Sequence, residues 1–138
     1  MADLFSQWDV GEGMGILIQS FKCAAAITKG QVVVADTHTS GEYPSVNVAG
    51  AAATDVIGVA LASGAINEYI PVMIVGIVKV TASAAAITAG EKVRAAANGQ
   101  IQAMPATPAA GDEKQIVGRA LQDFGATGDS GLIIVGSI

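Results

Sequence analysis

The stretch AAAITKG at residues 24–30 returns sixty residues later as AAAITAG at residues 84–90. Two further blocks recur at the same spacing, VIGVAL at residues 56–61 as IVGRAL at 116–121 and VMIVG at residues 72–76 as LIIVG at 132–136. A composition biased toward Ala, Gly and Val produces scattered matches and not one constant spacing. The sequence therefore predicts two tandem copies of one unit of about sixty residues, aligned without a gap.

Each copy of the repeated stretch ends in the pattern Ile-Thr-x-Gly, which is typical of a tight turn between strands. Gly30 and Gly90 can supply the positive φ that such a turn needs, and Ile27 and Ile87 precede it as candidate core residues. After the second turn, EKVRA at residues 91–95 alternates polar with apolar side chains. This alternation is the period of a β-strand with one face in water.

Helical signals are scarce, because the Ala clusters are short and end in the turn pattern. We predict an all-β fold built from two tandem β units of β-clip, small-barrel or sandwich type. The repeats cover about residues 16–78 and 76–138 and form one compact domain, residues 16–138, with an extended N-terminal arm at residues 1–15. The stretch at residues 72–82 closes the first unit and opens the second, so no linker separates them.

The least regular stretches lie at corresponding places in the two copies, at residues 36–54 and 96–115. Both are rich in Gly, Pro, Ser, Thr and Asn, which predicts loops or short hairpins. Asn98 and Gly99, followed by QIQA at residues 100–103, form the clearest hairpin signal. An Asn-Gly pair readily adopts the positive φ angles of a two-residue hairpin turn.

The amino-acid composition narrows the range of functions that the protein could have. Of the 138 residues, 51% are hydrophobic and only 4% aromatic, so the apolar side chains are mostly small and suit thin β layers. A net charge of -5 with seven Lys and Arg argues against nucleic acid as a partner, because that role needs a clustered basic face. The N-terminus lacks the pattern of a secretory signal, and no apolar run is long enough to span a bilayer, which argues against a membrane partner.

Reactive side chains are few and stand apart. Cys23 is interpreted as a small buried side chain, and His38 as part of a polar loop, because a zinc site needs three or four ligands. The Gly-rich residues 11–15 precede a strand and not a helix, which favours a hinge over a phosphate-binding loop. Ser130 has no histidine to activate it and is predicted to lie in a turn. We predict no catalytic residue, no metal site and no cofactor.

Several of these motifs resemble those of the tailed-phage capsid cement or head decoration proteins. The resemblance rests on AAITAGEKV at residues 85–93, ANGQI at 97–101, VGRAL at 117–121 and IIV at 133–135, and it extends over nearly the whole chain from about Ile16. Members of that family are small β proteins that sit on the outside of assembled heads and hold neighbouring coat subunits together. The resemblance implies a structural protein of the virion surface, made in the host cytoplasm, whose partner is the major capsid protein.

Two other function classes stay open, because Ile-Thr-x-Gly-x-x-Val also recurs in β-clip folds. One is a trimeric β-clip enzyme or a sugar- or nucleotide-binding module. The acidic, nucleotide-gripping motifs of such enzymes are not found in this sequence. The other is a different virion component, such as a tail or fibre protein.

The N-terminal arm departs from the repeat and holds Leu4, Phe5 and Trp8, the last being the one tryptophan of the chain. Two alternatives follow: these side chains cap the protein's own core, or they bind a partner. We predict Leu4, Phe5 and Trp8 as partner-binding residues that insert between coat subunits. A mean hydropathy of +0.53 favours association of subunits, and the family resemblance implies a homotrimer in preference to a dimer.

Overall fold

The computed structural model describes residues 16–36, 43–83 and 86–136. The predicted all-β fold is confirmed, because the regular structure of these residues is nine strands and two 3₁₀ helices of a single turn. The strands are β1 (Leu17–Cys23), β2 (Val32–Ala35), β3 (Ser45–Val48), β4 (Val56–Ala60), β5 (Tyr69–Thr81), β6 (Lys92–Ala95), β7 (Ile101–Ala103), β8 (Ile116–Ala120) and β9 (Ser130–Val135). The 3₁₀ helices are Ala97–Gly99 and Asp112–Gln115.

The first five strands close into a small barrel. Strand β1 runs antiparallel to β5, β5 to β4, β4 to β2 and β2 to β3, and β3 returns to β1 as a parallel pair. The first part of β5 completes this ring, since Tyr69 pairs with Lys22 and Val75 pairs with Leu17. Closure satisfies the backbone groups of the strands inside the ring.

The second part of β5 begins another ring of the same kind. Residues 76–81 pair with β9, β9 with β8, β8 with β6, and β6 with β7. A parallel bridge between Ala82 and Ile101 then returns the ring to the end of β5. Because the thirteen residues of β5 belong to both rings, the two barrels are fused along one continuous strand.

Equivalent strands of the two barrels pair in the same register. Val33 faces Gly58 in the first barrel as Val93 faces Gly118 in the second, and a bulge follows each pair at the same place. A Cβ added to Gly58 or Gly118 would collide with the backbone carbonyl oxygen of Met73 or Ile134 on the next strand. Only glycine allows the strands to approach this closely.

The spacing between equivalent residues is not constant, so the predicted gapless alignment is wrong. The backbone N–H of Cys23 donates to the carbonyl of Glu68, and the equivalent bond joins Ala82 to Asp129. The spacing is therefore 59 residues at the end of the opening strand and 61 before the closing strand. The second copy has one extra residue between Ala82 and Ile87 and another between Phe124 and Asp129.

The Ile-Thr-x-Gly turn has the predicted geometry in both barrels. Gly30 and Gly90 adopt φ angles of +92° and +95°, in the left-handed region. Each glycine N–H donates to the carbonyl of the last residue of β4 or β8. Ile27 and Ile87 are buried, as the sequence predicts, and each forms a bridge with the loop that follows β4 or β8.

We expect Gly90→Ala to lower the free energy of unfolding by roughly 1–2 kcal/mol, because a left-handed backbone brings a Cβ too close to its own chain. No atom lies within 4 Å of the added Cβ, so the loss of unfolding free energy reports backbone strain and not a steric clash. Gly50→Ala is the matched control, since its Cβ also meets nothing within 4 Å and its φ lies outside the left-handed region. Equal stability of the two variants in denaturant unfolding would contradict the assigned turn.

The buried residues form two clusters. The smaller one lies inside the first barrel and consists of Cys23, Ile27, Val33, Val46, Ala60, Ile70 and Val72. The larger one fills the second barrel and continues to Val32, Val59 and Met73 on the outer side of the first barrel. The two barrels therefore share one apolar layer between them.

The predicted hairpin at Asn98 and Gly99 is confirmed and supports this contact between barrels. Both residues have positive φ, and they join the antiparallel strands β6 and β7. The N–H of Gly99 donates to the carbonyl of Ala49 at 3.0 Å, and Nε2 of Gln31 donates to the carbonyl of Asn98 at 2.9 Å. The hairpin turn of the second barrel is thus bound to the first.

Candidate functional site

Ile77, Ile134, Arg119 and Lys92 form a row on the outside of the second barrel, which we call the outer row. Ile77 pairs with Ile134, Ile134 with Arg119, and Arg119 with Lys92, so the four residues lie side by side across β5, β9, β8 and β6. Their neighbours along each strand are buried inside the barrel, as the alternation of side chains requires.

The first barrel contains an equivalent row that is largely buried. There Ile18 pairs with Met73, Met73 with Val59, and Val59 with Val32. Val32 and Val59 are 0% exposed and Met73 is 6% exposed, because they belong to the layer between the barrels. In the second barrel the two valines are replaced by exposed cations, and Ile77 is 53% exposed. The face that the first barrel buries is open in the second.

Positive charge is concentrated around the outer row. Four of the seven Lys and Arg residues lie on this side of the second barrel: Lys79, Lys92, Arg94 and Arg119. Arg119 donates to the carbonyl of Gly90 at 2.8 Å, and Arg94 donates to Oε1 of Gln115 at 2.7 Å. Both acceptors are uncharged, so these bonds leave the guanidinium charges unneutralised.

Apolar side chains extend the outer row toward the N-terminal end of the described chain. Ile16 is 62% exposed, and its Cγ2 lies 3.5 Å from the place that a Cβ on Gly76 would occupy. Leu17 and Ile18 are 50% and 46% exposed although they point to opposite sides of β1. Strand β1 therefore presents apolar surface on both of its faces at this end of the row.

Two tyrosines form a second exposed cluster, which the sequence did not predict. The rings of Tyr43 and Tyr69 meet edge to face with their centroids 5.2 Å apart. The hydroxyl of Tyr43 donates to the carbonyl of Ser20 at 2.8 Å, which ties this pair to β1. The long separation of the two residues in the chain left no local signal.

Two carboxylates of the described loops stabilise turns. Oδ2 of Asp129 accepts hydrogen bonds from the N–H groups of Gly125 and Ala126, each at 3.0 Å. Oδ1 of Asp123 accepts a bond from the N–H of Ala89 at 2.8 Å. These carboxylates therefore stabilise the local structure of the loops.

The structure describes only some of the residues that the sequence singled out. Leu4, Phe5 and Trp8 lie outside the described residues, as do His38 and the Gly-rich segment at residues 11–15. Ser130 is the first residue of β9 and not part of a turn, because its hydroxyl lies 3.1 Å from that of Thr81 on the paired strand.

Cys23 is buried in the smaller core cluster. Burial raises the pKa of its thiol above the ordinary value, and the charge of Glu68 raises it further. The thiol therefore stays protonated and unreactive at neutral pH. The thiol pKa is higher in the folded state than in the unfolded state. Its contribution to the free energy of unfolding is therefore fully present at neutral pH and is lost as the pH rises from the unfolded pKa through the folded pKa.

We expect Cys23→Ala to fold and to lose only about 1 kcal/mol of unfolding free energy, since it removes one buried sulfur atom. The equivalent position in the second barrel is Ala82, which is also 0% exposed, so alanine is compatible with this site in the fold. Thermal unfolding measures the loss. In the native wild type we also expect slow labelling by a thiol reagent, and labelling as fast as in denaturant would contradict the buried position.

The described part of the chain contains no group of three or more His, Cys, Asp or Glu side chains that could hold a metal ion. Among these same residues, no helix has the length and apolar character needed to cross a membrane.

The comparisons with known proteins agree with the resemblance noted in the sequence. Among solved structures, the chain is similar to the head fiber gp8.5 N base in bacteriophage phi29, with a TM-score of 0.65 and 10% sequence identity. That match covers 88% of this chain and 95% of the other, and at this identity it shows a shared fold. No curated protein matches the chain. A family model described as phage cement protein matches residues 13–135, and the chain therefore belongs to the phage cement protein family.

Proposed function

We propose that the protein binds the outer surface of a phage capsid and stabilises the contacts between major capsid subunits. The observation that carries this proposal is the match of the phage cement family model to residues 13–135. The fold supports it, because two closed barrels fused along one strand form a rigid body with an exposed apolar and basic side. The structure with the similar fold is the base of a head fiber, which is also a virion component.

The test is co-sedimentation of the purified full chain with expanded shells that lack it. We expect saturable binding at a fixed number of copies per shell. Bound shells should also resist heat or denaturant better than bare shells, since a ligand that binds only the assembled state stabilises that state. Absence of saturable binding, or binding without any gain in shell stability, would overturn the proposal.

Leu4, Phe5 and Trp8 are proposed to contact the capsid subunits directly. Large aromatic side chains contribute most to binding when a partner desolvates them fully. In the described part of the chain, the two core clusters run from Cys23 to Val135 and are built within the barrels. Ile16, the first described residue, is exposed beside Gly76.

A homotrimer is proposed as the assembled form, in preference to a dimer. Exposed apolar residues on the body, including Ile66 and Tyr69 at 60% and 57% exposure, favour association. Sedimentation equilibrium of the purified protein at several concentrations measures the assembly directly. A stable monomer or dimer across that range would contradict the trimer.

The proposed function includes no catalytic step. His38→Ala and Cys23→Ala should therefore bind shells with the affinity of the wild type. Loss of shell binding in His38→Ala, with unchanged folding, would show that this residue has a role the proposal does not include.

A further inference from the structure

We propose that the outer row of the second barrel, with Lys79 and Leu132 beside it, is a docking face for an acidic, partly apolar protein surface on the capsid shell. This inference rests on the proposed function. It adds a second point of contact, a face of the β body, to the proposed contact through the N-terminal arm. Lys79 pairs with Leu132 across β5 and β9, next to the pair formed by Ile77 and Ile134. The face therefore combines an apolar half with a basic half.

The charge distribution indicates the sign of the partner. The chain carries twelve acidic and seven basic residues, yet four of the seven cations gather on this one side. Clustered like charges repel one another, and here the arginines bind a carbonyl and an amide instead of carboxylates. An acidic partner surface would relieve this repulsion and orient the approach of the protein.

The comparison of the two barrels argues against a second copy of the barrel as the occupant. In the first barrel the equivalent face buries Val32 and Val59 under the second barrel. Repeating that packing on the outer row would bury Lys92 and Arg119 without partners, at a large cost in desolvation. In the second barrel two cations replace the two valines, which disfavours the packing of a further barrel against this face. The face is suited instead to the carboxylates of a partner.

Ile16 extends the apolar half of this face. Ile16 lies against the Gly76 position, one residue before Ile77 at the apolar end of the outer row. The apolar half of the face therefore continues beyond Ile77 into the exposed side chain of Ile16.

The test uses the full chain and expanded shells, with charge reversal on the face and off it. Lys92→Glu/Arg119→Glu should lower the apparent affinity for shells at least about tenfold and reduce its dependence on salt concentration. Lys29→Glu/Lys114→Glu, at two exposed positions that are not part of the outer row, changes the net charge by the same amount and should remain within about twofold of the wild type. Far-ultraviolet circular dichroism and thermal unfolding confirm that both variants fold.

The outcomes separate this inference from the proposed function. If the wild type fails to bind shells, the function itself is wrong. If the wild type and Lys92→Glu/Arg119→Glu bind shells equally, the function stands and the docking face is overturned. It is also overturned if the reversal alters only the oligomeric state, which would identify a second copy, or only binding to duplex DNA. Should the reversal prevent folding, Lys92→Gln/Arg119→Gln replaces it and should lower the affinity at least about threefold, with equal binding again overturning the face.

Discussion

Phe124→Gly should destabilise the protein by about 4 kcal/mol, a large share of the 5–15 kcal/mol that holds a typical domain folded. Phe124 is 1% exposed and is the largest fully buried side chain of the described residues. A Cβ added to Gly131 would lie only 2.9 Å from Cζ of the Phe124 ring. Removal of the ring leaves a cavity that closed strands cannot easily collapse to fill.

In the first barrel the same interior space is filled with the large and the small residue at exchanged positions. Gly64 occupies the place of Phe124, and Ile70 occupies the place of Gly131. A Cβ on Gly64 would lie 2.6 Å from Cγ2 of Ile70, so the large side chain comes from the opposite strand. In each barrel one large side chain therefore fills this interior volume, but it comes from a different position in the two copies.

This exchange defines a double-mutant test of the packing. Gly131→Ile alone should destabilise, because it collides with the ring of Phe124. Phe124→Gly/Gly131→Ile should recover about half of the loss caused by Phe124→Gly, because it gives the second barrel the arrangement of the first. Denaturant unfolding of the three variants measures the coupling. A double variant no more stable than Phe124→Gly would show that the two interiors are not equivalent.

Leu132→Ala serves as the control for this series. Leu132 follows Gly131 but points outward and is 38% exposed. We expect a loss of about 1 kcal/mol or less, since a partly exposed side chain forfeits little buried area.

Deletion of residues 1–10 should lower the affinity for capsid shells at least about a hundredfold and leave a folded β protein. Two aromatic anchors that are desolvated at an interface can contribute about 2 kcal/mol or more each. Co-sedimentation with expanded shells measures the affinity, and far-ultraviolet circular dichroism measures the fold.

Point variants separate the role of the side chains from the role of the segment length. Phe5→Ala/Trp8→Ala in the full chain should reproduce most of the effect, while the neighbouring Ser6→Ala/Gln7→Ala should bind as the wild type does. An unfolded deletion variant would place the arm in the protein's own core. A deletion variant that binds shells as tightly as the full chain would place the whole interface on the β body.

Local patterns were sufficient to predict the all-β class, the turns and part of the core. The Ile-Thr-x-Gly pattern predicted the left-handed glycines at Gly30 and Gly90, and the Asn-Gly pair predicted the hairpin between β6 and β7. These features depend on backbone preferences of a few adjacent residues, which the sequence displays directly. The family was also recognisable from short motifs spread over the chain.

The one-residue shifts between the copies could not be predicted in this way. A gapless alignment still matches many residues in segments rich in Ala, Gly and Val, so the sequence contains little information on where an insertion lies. The shifts are visible only in the hydrogen bonds, where Cys23 corresponds to Ala82 and Glu68 to Asp129. Register is a property of paired strands, and a short loop can absorb an extra residue without disturbing it.

By itself, then, the sequence determined the strand chemistry, the turns and the family of this protein, because each depends on residues close together in the chain. Only the tertiary structure decided that Val32 and Val59 are covered while Lys92 and Arg119 are open. A strand pattern shows which side chains share a face but not what lies against that face. The basic face arises because closure of the second barrel brings together cations from β5, β6 and β8, which are distant in the chain.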